Sequence, residues 1–188
     1  MLDIALQFIT DELNTQLLLR TGADTIKAKL TRLVEESGKY AFEQGVGISV
    51  INIEEERVIK EHLPEHAYVG GKHVVKPPPL RLNLHVIFAA NLKLHEDAFK
   101  YLSYILEFYQ GSPSFTPQGF PGLDSRIEKL VFELQSLSYE QLNQVWAFVG
   151  GKQLPSVIYK VRMVVVEPWT PSAVRPPVLE INTSLRSK

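Results

Sequence analysis

The side chains best able to do chemistry are a few histidines and two Gly-Gly-Lys triplets, and none falls into a catalytic pattern. His62 and His66 stand at a four-residue spacing, with His73 a little further on. That spacing puts two imidazoles on one face of a helix, where they could share a metal. Pro64 lies between them and breaks such a helix, and no carboxylate stands nearby in a recognisable ligand motif. The three read as solvated loop histidines, and no metal is assigned. His85 alternates with apolar residues on the polar side of a strand pattern, which suits a surface or interface position better than a general base.

Gly70-Gly71-Lys72 and Gly150-Gly151-Lys152 look at first like phosphate loops. Neither has the first glycine four residues ahead of a Gly-Lys pair, and neither lysine precedes serine or threonine. They read as turn and helix-stop glycines, so no nucleotide or other cofactor is expected. No serine sits in a nucleophile elbow or beside an acid–base partner. Glu54 and Glu56 project from one side of a strand, and Lys160 and Arg162 from one side of another. Either the two strands are neighbours and these form a cross-strand ion ladder, or each is a charged strip facing a partner subunit. The chain reads as non-enzymatic.

Composition bounds the rest. With 188 residues and 45% hydrophobic content, one domain can close a core. A formal net charge of -1 gives no basic footprint for nucleic acid. There are no cysteines, so disulfides and thiolate metal sites are excluded and a reducing cytosol fits. The start, Met1-Leu2-Asp3-Ile4-Ala5-Leu6, lacks a basic n-region, and Asp3, Asp11 and Glu12 interrupt the apolar positions. Neither a signal peptide nor a membrane span is expected, so assembly in the cytoplasm is.

The elements follow from periodicity. Leu2, Ala5, Leu6, Ile9, Leu13 and Leu17 make one apolar helical stripe over 2–20, with Gly22 as its stop. Residues 25–44 fit a strand through Ile26, Ala28 and Leu30, or a helix through Leu30, Leu33 and Val34. Val46 to Ile53 is a strand whose near-continuous apolarity calls for cover on both faces. Residues 58–79, with two glycines and three successive prolines, read as a long loop that delays the next strand to Leu80. That strand runs to Phe88. Over 96–109 two adjacent apolar stripes, Phe99-Leu102-Leu106-Tyr109 and Ala98-Tyr101-Ile105-Phe108, give a helix with a wider apolar face than one sheet face covers. An aromatic loop carries Phe115 and Phe120. Ile127–Leu137 alternates like a strand, with a helix as the competing reading. Ser138-Tyr139-Glu140-Gln141 is a capping box opening a helix through Leu142, Val145, Trp146 and Val149, stopped at Gly150. A last strand spans Val157–Val166. The expected domain is 1–167, followed by a proline-rich extended arm over 168–188.

Several blocks carry a family resemblance: Ile51-Asn52-Ile53-Glu54-Glu55-Glu56-Arg57, Phe88-Ala89-Ala90-Asn91, Phe108-Tyr109-Gln110-Gly111, Phe115-Thr116-Pro117-Gln118 and Gly122-Leu123-Asp124. Glu140-Gln141-Leu142-Asn143 with Trp146, and Leu154-Pro155 through Met163, continue it in order. Together they resemble the cap, or tail-terminator, proteins of extracellular contractile injection systems, phage-tail-like particles built from an inner tube and a contractile sheath. Residues 25–44 and 58–76 lie outside the resembling blocks.

The resemblance implies an α/β (α+β) fold, with a mixed or antiparallel sheet of about four to six strands flanked by about three helices. It implies a hexameric ring on the baseplate-distal end of tube and sheath that ends polymerisation and stabilises the extended sheath. The partners are then other copies of the chain, sheath and tube, with neither nucleic acid nor membrane, in a particle released from the cell. A tail-completion or head–tail connector protein of a contractile-tailed phage is the alternative. Candidate contacts with subunits or sheath are Tyr101, Tyr104 and Phe108 on the 96–109 helix, Phe115 and Phe120 in the loop, Lys160, Arg162, Val164 and Val166 on the last strand, and Trp169 beyond it. Glu54 and Glu56 form the candidate charged strip. The aromatics have a competing role as core, and the 157–177 segment is the candidate for docking by strand augmentation.

Overall fold

The computed structural model describes residues 1–56, 65–69, 72–76, 80–165 and 173–175, with side chains over 1–56 and 81–163. In chain order the elements are α1 (Leu2–Thr21), β1 (Ala28–Leu30), β2 (Gly45–Glu55), β3 (Glu65–Val69), β4 (Lys72–Lys76), β5 (Leu80–Asn91), α2 (His95–Gly111), β6 (Ser114–Phe115), β7 (Ile127–Leu134), α3 (Tyr139–Val149), β8 (Ser156–Val165) and β9 (Ala173–Arg175). Six strands form one sheet in the order β1-β2-β5-β8-β7-β6. The β1–β2 pair is parallel, and the rest are antiparallel.

The two-residue period of β5 explains the layering. Leu84, Val86, Phe88 and Ala90 point to one face, where they join Ala5, Ile9, Leu13 and Leu17 of α1 and Ala98, Leu102 and Ile105 of α2 in the larger core. Ile87 and Ala89 point to the other face and meet Trp146 of α3 with Leu33 and Phe42 of the 31–44 segment. Each fully buried residue of the Leu84 or Phe88 type contributes about 1.5–3 kcal/mol. Both faces of the central strands are therefore covered, as the apolar run in β2 implies. Gly47 shows how tightly: a Cβ there would lie 2.5 Å from the Phe42 ring.

Helix ends obey local chemistry. The Ser138 hydroxyl accepts from the Gln141 amide at 3.2 Å, and the Gln141 side chain accepts from the Ser138 amide at 3.0 Å. Gly150 ends α3 in the left-handed region at φ 80, which an L side chain adopts only with strain. The ambiguous 25–44 stretch becomes the short strand β1 and then irregular chain pinned by a bridge between Val34 and Tyr40. The strand alternation also wins over 127–134.

One expectation is corrected. Residues 58–79 are not one long loop: β3 and β4 pair antiparallel, with Glu65 opposite Lys76, and β9 pairs with β4 through Val74–Val174. The sequence hides these strands because they are five residues long and bracketed by glycines and prolines that read as loop. Within the expected arm, the described residues 173–175 form a strand of a second, three-stranded sheet. The Pro77–Pro79 triplet and the rest of the 168–188 arm lie outside the described residues.

Candidate docking surfaces

The aromatic residues of α2 and the following loop converge on the molecule's own interior. Phe115 is 1% exposed and lies 4.7 Å from Phe120 and 5.8 Å from Phe108, ring centre to ring centre. Tyr109 stacks on Phe132 at 4.0 Å. Tyr101 is buried, edge-on to Tyr104 at 5.8 Å, and Phe108 and Phe120 are half-buried against the same core. Burial holds the Tyr109 phenol well above its ordinary range, helped by Tyr159 and Glu12, and its hydroxyl has no hydrogen-bond partner among the described residues. Burial also pushes Tyr159 up to about 12. Tyr104 and Phe108, both half-buried, line a cleft of about 220 Å³ between the ends of α1 and α2 with Arg20 and Glu107, which pair at 3.2 Å.

The charged residues sort differently from the expected ladder. β5 lies between β2 and β8, so Glu54 and Glu56 cannot face Lys160 and Arg162 directly. Sequence period tells which side a residue takes but not which strand is its neighbour. Glu54 instead approaches His85 at 3.4 Å, and Glu56 accepts from Asn83 at 3.0 Å. Arg162 pairs with Glu133 of β7, and Lys160 stands in register between His85 and Glu133. All lie on the α3 side of the sheet, where His85 lines a groove with Gln141, Gln144, Val145 and Phe148 of α3. Asn83 Oδ1, His85 Nε2 and Arg162 Nε are buried there without a hydrogen-bond partner among the described residues.

Strand edges are blunted on one side of the sheet. The Asn14 side chain donates to the Ala28 carbonyl at 2.9 Å and accepts from its amide at 2.7 Å, closing β1. Past β1, β2 carries a bulge at Ile51, and Asn52 Oδ1 accepts from the Ile53 amide at 2.9 Å. β8 has β5 on one side and β7 on the other, so augmentation at residues 159–165 is ruled out. Within the 157–177 candidate only β9 keeps a side without a strand among the described residues. Val164 lies in β8, whereas Val166 and Trp169 lie outside the described residues.

The candidate contacts leave out several of the most exposed large apolar side chains. Tyr139 and Phe148 on α3 are 93% and 83% exposed, and Leu94 and Phe99 at the start of α2 are 63% and 54% exposed. Their signal was available: Tyr139 and Phe148 fall off the Leu142-Val145-Trp146-Val149 stripe, so α3 could not bury them. Between α3 and the sheet, Ile51, Leu137, Val145, Phe148 and Ile158 line a groove of about 510 Å³. The three candidate histidines fall where no side chain is described. His62 lies outside the described residues, His66 and His73 fall on β3 and β4, and the described residues hold no cluster of three metal-type side chains.

Residues 5–180 match the family described as the Pvc16 N-terminal domain. The chain belongs to that family. Among solved structures it is similar to the sheath/tube terminator of an extracellular contractile injection system, PVC, in the extended state: 14% identity, TM-score 0.63, 96% of this chain and 63% of that one. It is also similar to the anti-feeding prophage cap, a tube-terminating cap, at 10% identity and TM-score 0.61, over 94% of this chain and 60% of that one. At these identities the likeness is one of fold, and the Pvc16 N-terminal domain seen here spans about three-fifths of each terminator. No curated protein matches the chain by sequence. Among the described residues no helix is long and apolar enough to cross a membrane.

Proposed function

We propose that this chain is a structural terminator, acting without catalysis, that caps the baseplate-distal end of the inner tube and contractile sheath of a phage-tail-like injection particle. Six copies form a ring that ends polymerisation and steadies the extended sheath, assembled in the cytoplasm and carried out with the particle. The observation that carries this reading is the family match over 5–180 together with a fold shared along almost the whole chain with two terminators.

The geometry is consistent with that role. A tube or sheath grows because each ring presents a surface the next can match; a terminator must match one surface and offer none. On the β1/β2 side of the large sheet, Asn14, a bulge and Asn52 blunt the edge against templating a further strand. Electron microscopy of particles made with and without the chain tests the role. Overlong or length-heterogeneous tubes and unstable sheaths are expected in its absence, and unchanged particles would overturn it.

A further inference from the structure

The small sheet is an insertion that the large sheet does not need. β2 and β5 are already paired where the chain leaves for it: Glu55 stands opposite Leu82, and the Glu56 amide donates to the Arg81 carbonyl at 2.9 Å. A turn of about two to five residues would close that hairpin. Residues 57–79 instead carry β3 and β4, and β9 joins them after β8, whose Val165 stands opposite Leu80 at the same end of the large sheet. The three strands pack chiefly on one another, β3 on β4 and β4 on β9. Ala67, Val74 and Val174 form one cross-strand row, on the face that Val69 shares. Three strands this short hold together when such a row is covered.

The insertion and the rest of the chain differ in sign. Of the chain's 20 Lys and Arg and 21 Asp and Glu, residues 57–79 hold four and two, which leaves sixteen and nineteen elsewhere. In the register of the small sheet Glu65 stands opposite Lys76, whereas Lys72 stands opposite Val69 and Arg175 opposite His73, so the end at Val69 and Lys72 is the cationic one. The outer side of α1 has the opposite character. Asp3, Asp11 and Glu12 line a concavity of about 460 Å³ there with Ile4 and Phe8, and no Lys or Arg lines it among the described residues. The one cation on α1, Arg20, pairs with Glu107. Asp3 is answered by the Met1 amine, and Arg126, which feels Asp3, is held by Asp124 at 2.8 Å. Asp11 and Glu12 have no ion pair among the described residues.

We infer that the small sheet of one copy docks, by its Lys72 end, on the outer side of α1 in a second copy. The contact joins two different surfaces, so it repeats head to tail and can close a ring, whereas small sheet against small sheet would stop at a dimer. This rests on the ring reading above and names the surfaces that join. The short apolar row gains the cover it lacks, and the cationic end comes against Asp11 and Glu12. Tyr139 and Phe148 stay outside this contact, so the α3 side is left open to sheath or tube.

Light scattering on the wild-type chain comes first: a monomer at all concentrations overturns the ring reading itself. Replacing residues 57–79 by a Gly-Asn-Gly-Ser turn should leave a cooperatively melting protein, because β2 and β5 stay paired, and should abolish self-association. In the intact chain, Lys72→Glu and Asp11→Lys should each weaken self-association about 10-fold, more at low salt than at high. The double variant restores opposite charges and should return to within about threefold of wild type. A ring that survives the replacement, or charge reversals that change nothing or that the double variant does not rescue, overturns this contact and leaves the ring reading standing.

Discussion

The α1/α2 side of the sheet and the α3 side are built from similar material and use it oppositely. On the first, Tyr101, Tyr109, Phe115 and Phe132 are turned inward, and the aromatic loop closes over the sheet. On the second, α3 buries Trp146 alone and leaves Tyr139 and Phe148 in solvent. An aromatic-rich segment is therefore no guide to an interface by itself; the interface candidate is the aromatic that falls off its helix's buried stripe.

The largest test of the contrast is Phe115→Ala. Truncating a ring at 1% exposure should cost about 3–5 kcal/mol of unfolding free energy in urea, and a loss below about 1 kcal/mol would mean the loop is not core. Gly47→Ala is next: its Cβ would meet Phe42 at 2.5 Å, so overpacking should cost about 1–3 kcal/mol and test whether the second face is as tightly packed. Ser138→Ala removes half the capping box and should cost about 1 kcal/mol, starting at α3. F148E, in contrast, should change monomer stability by no more than about 0.5 kcal/mol.

The smallest effects are those of pH. The unfolded chain ionises its tyrosines near about pH 10, whereas Tyr159 holds its proton to about 12 and burial raises Tyr109 as well. The folded state thus keeps more protons, its stability is full below about pH 10 and falls as pH rises above it, and Tyr109→Phe should flatten that fall. At the acid end, hydrogen bonds from the Arg126 side chain and amide hold Asp124 down to about 2. Its contribution is present above the ordinary carboxylate range and lost as pH falls toward 2; Asp124→Asn should remove that slope.

Much of the fold was legible because it follows from period and local chemistry: the α1 stripe, the alternation in β5, the capping box at Ser138 and the stop at Gly150. The five-residue strands β3 and β4 were not, since their flanking glycines and prolines carry the stronger local signal. Strand order was not legible either. Glu54 and Lys160 each sat on the correct face for a ladder, yet β5 separates them, and only the long-range pairing of β2 with β5 and of β5 with β8 shows that His85 and Glu133 are the near partners. Of the candidate contacts, Tyr101 and Phe115 are committed to the core, and Tyr104, Lys160 and Arg162 keep partial exposure.

The most direct measurement is the length distribution, by electron microscopy, of particles assembled with F148E in place of the wild-type chain. The expected result is a protein that melts like wild type but yields particles as overlong or uncapped as those made without it. Wild-type lengths with F148E assembled at the particle end would contradict the assignment of the α3 side to assembly.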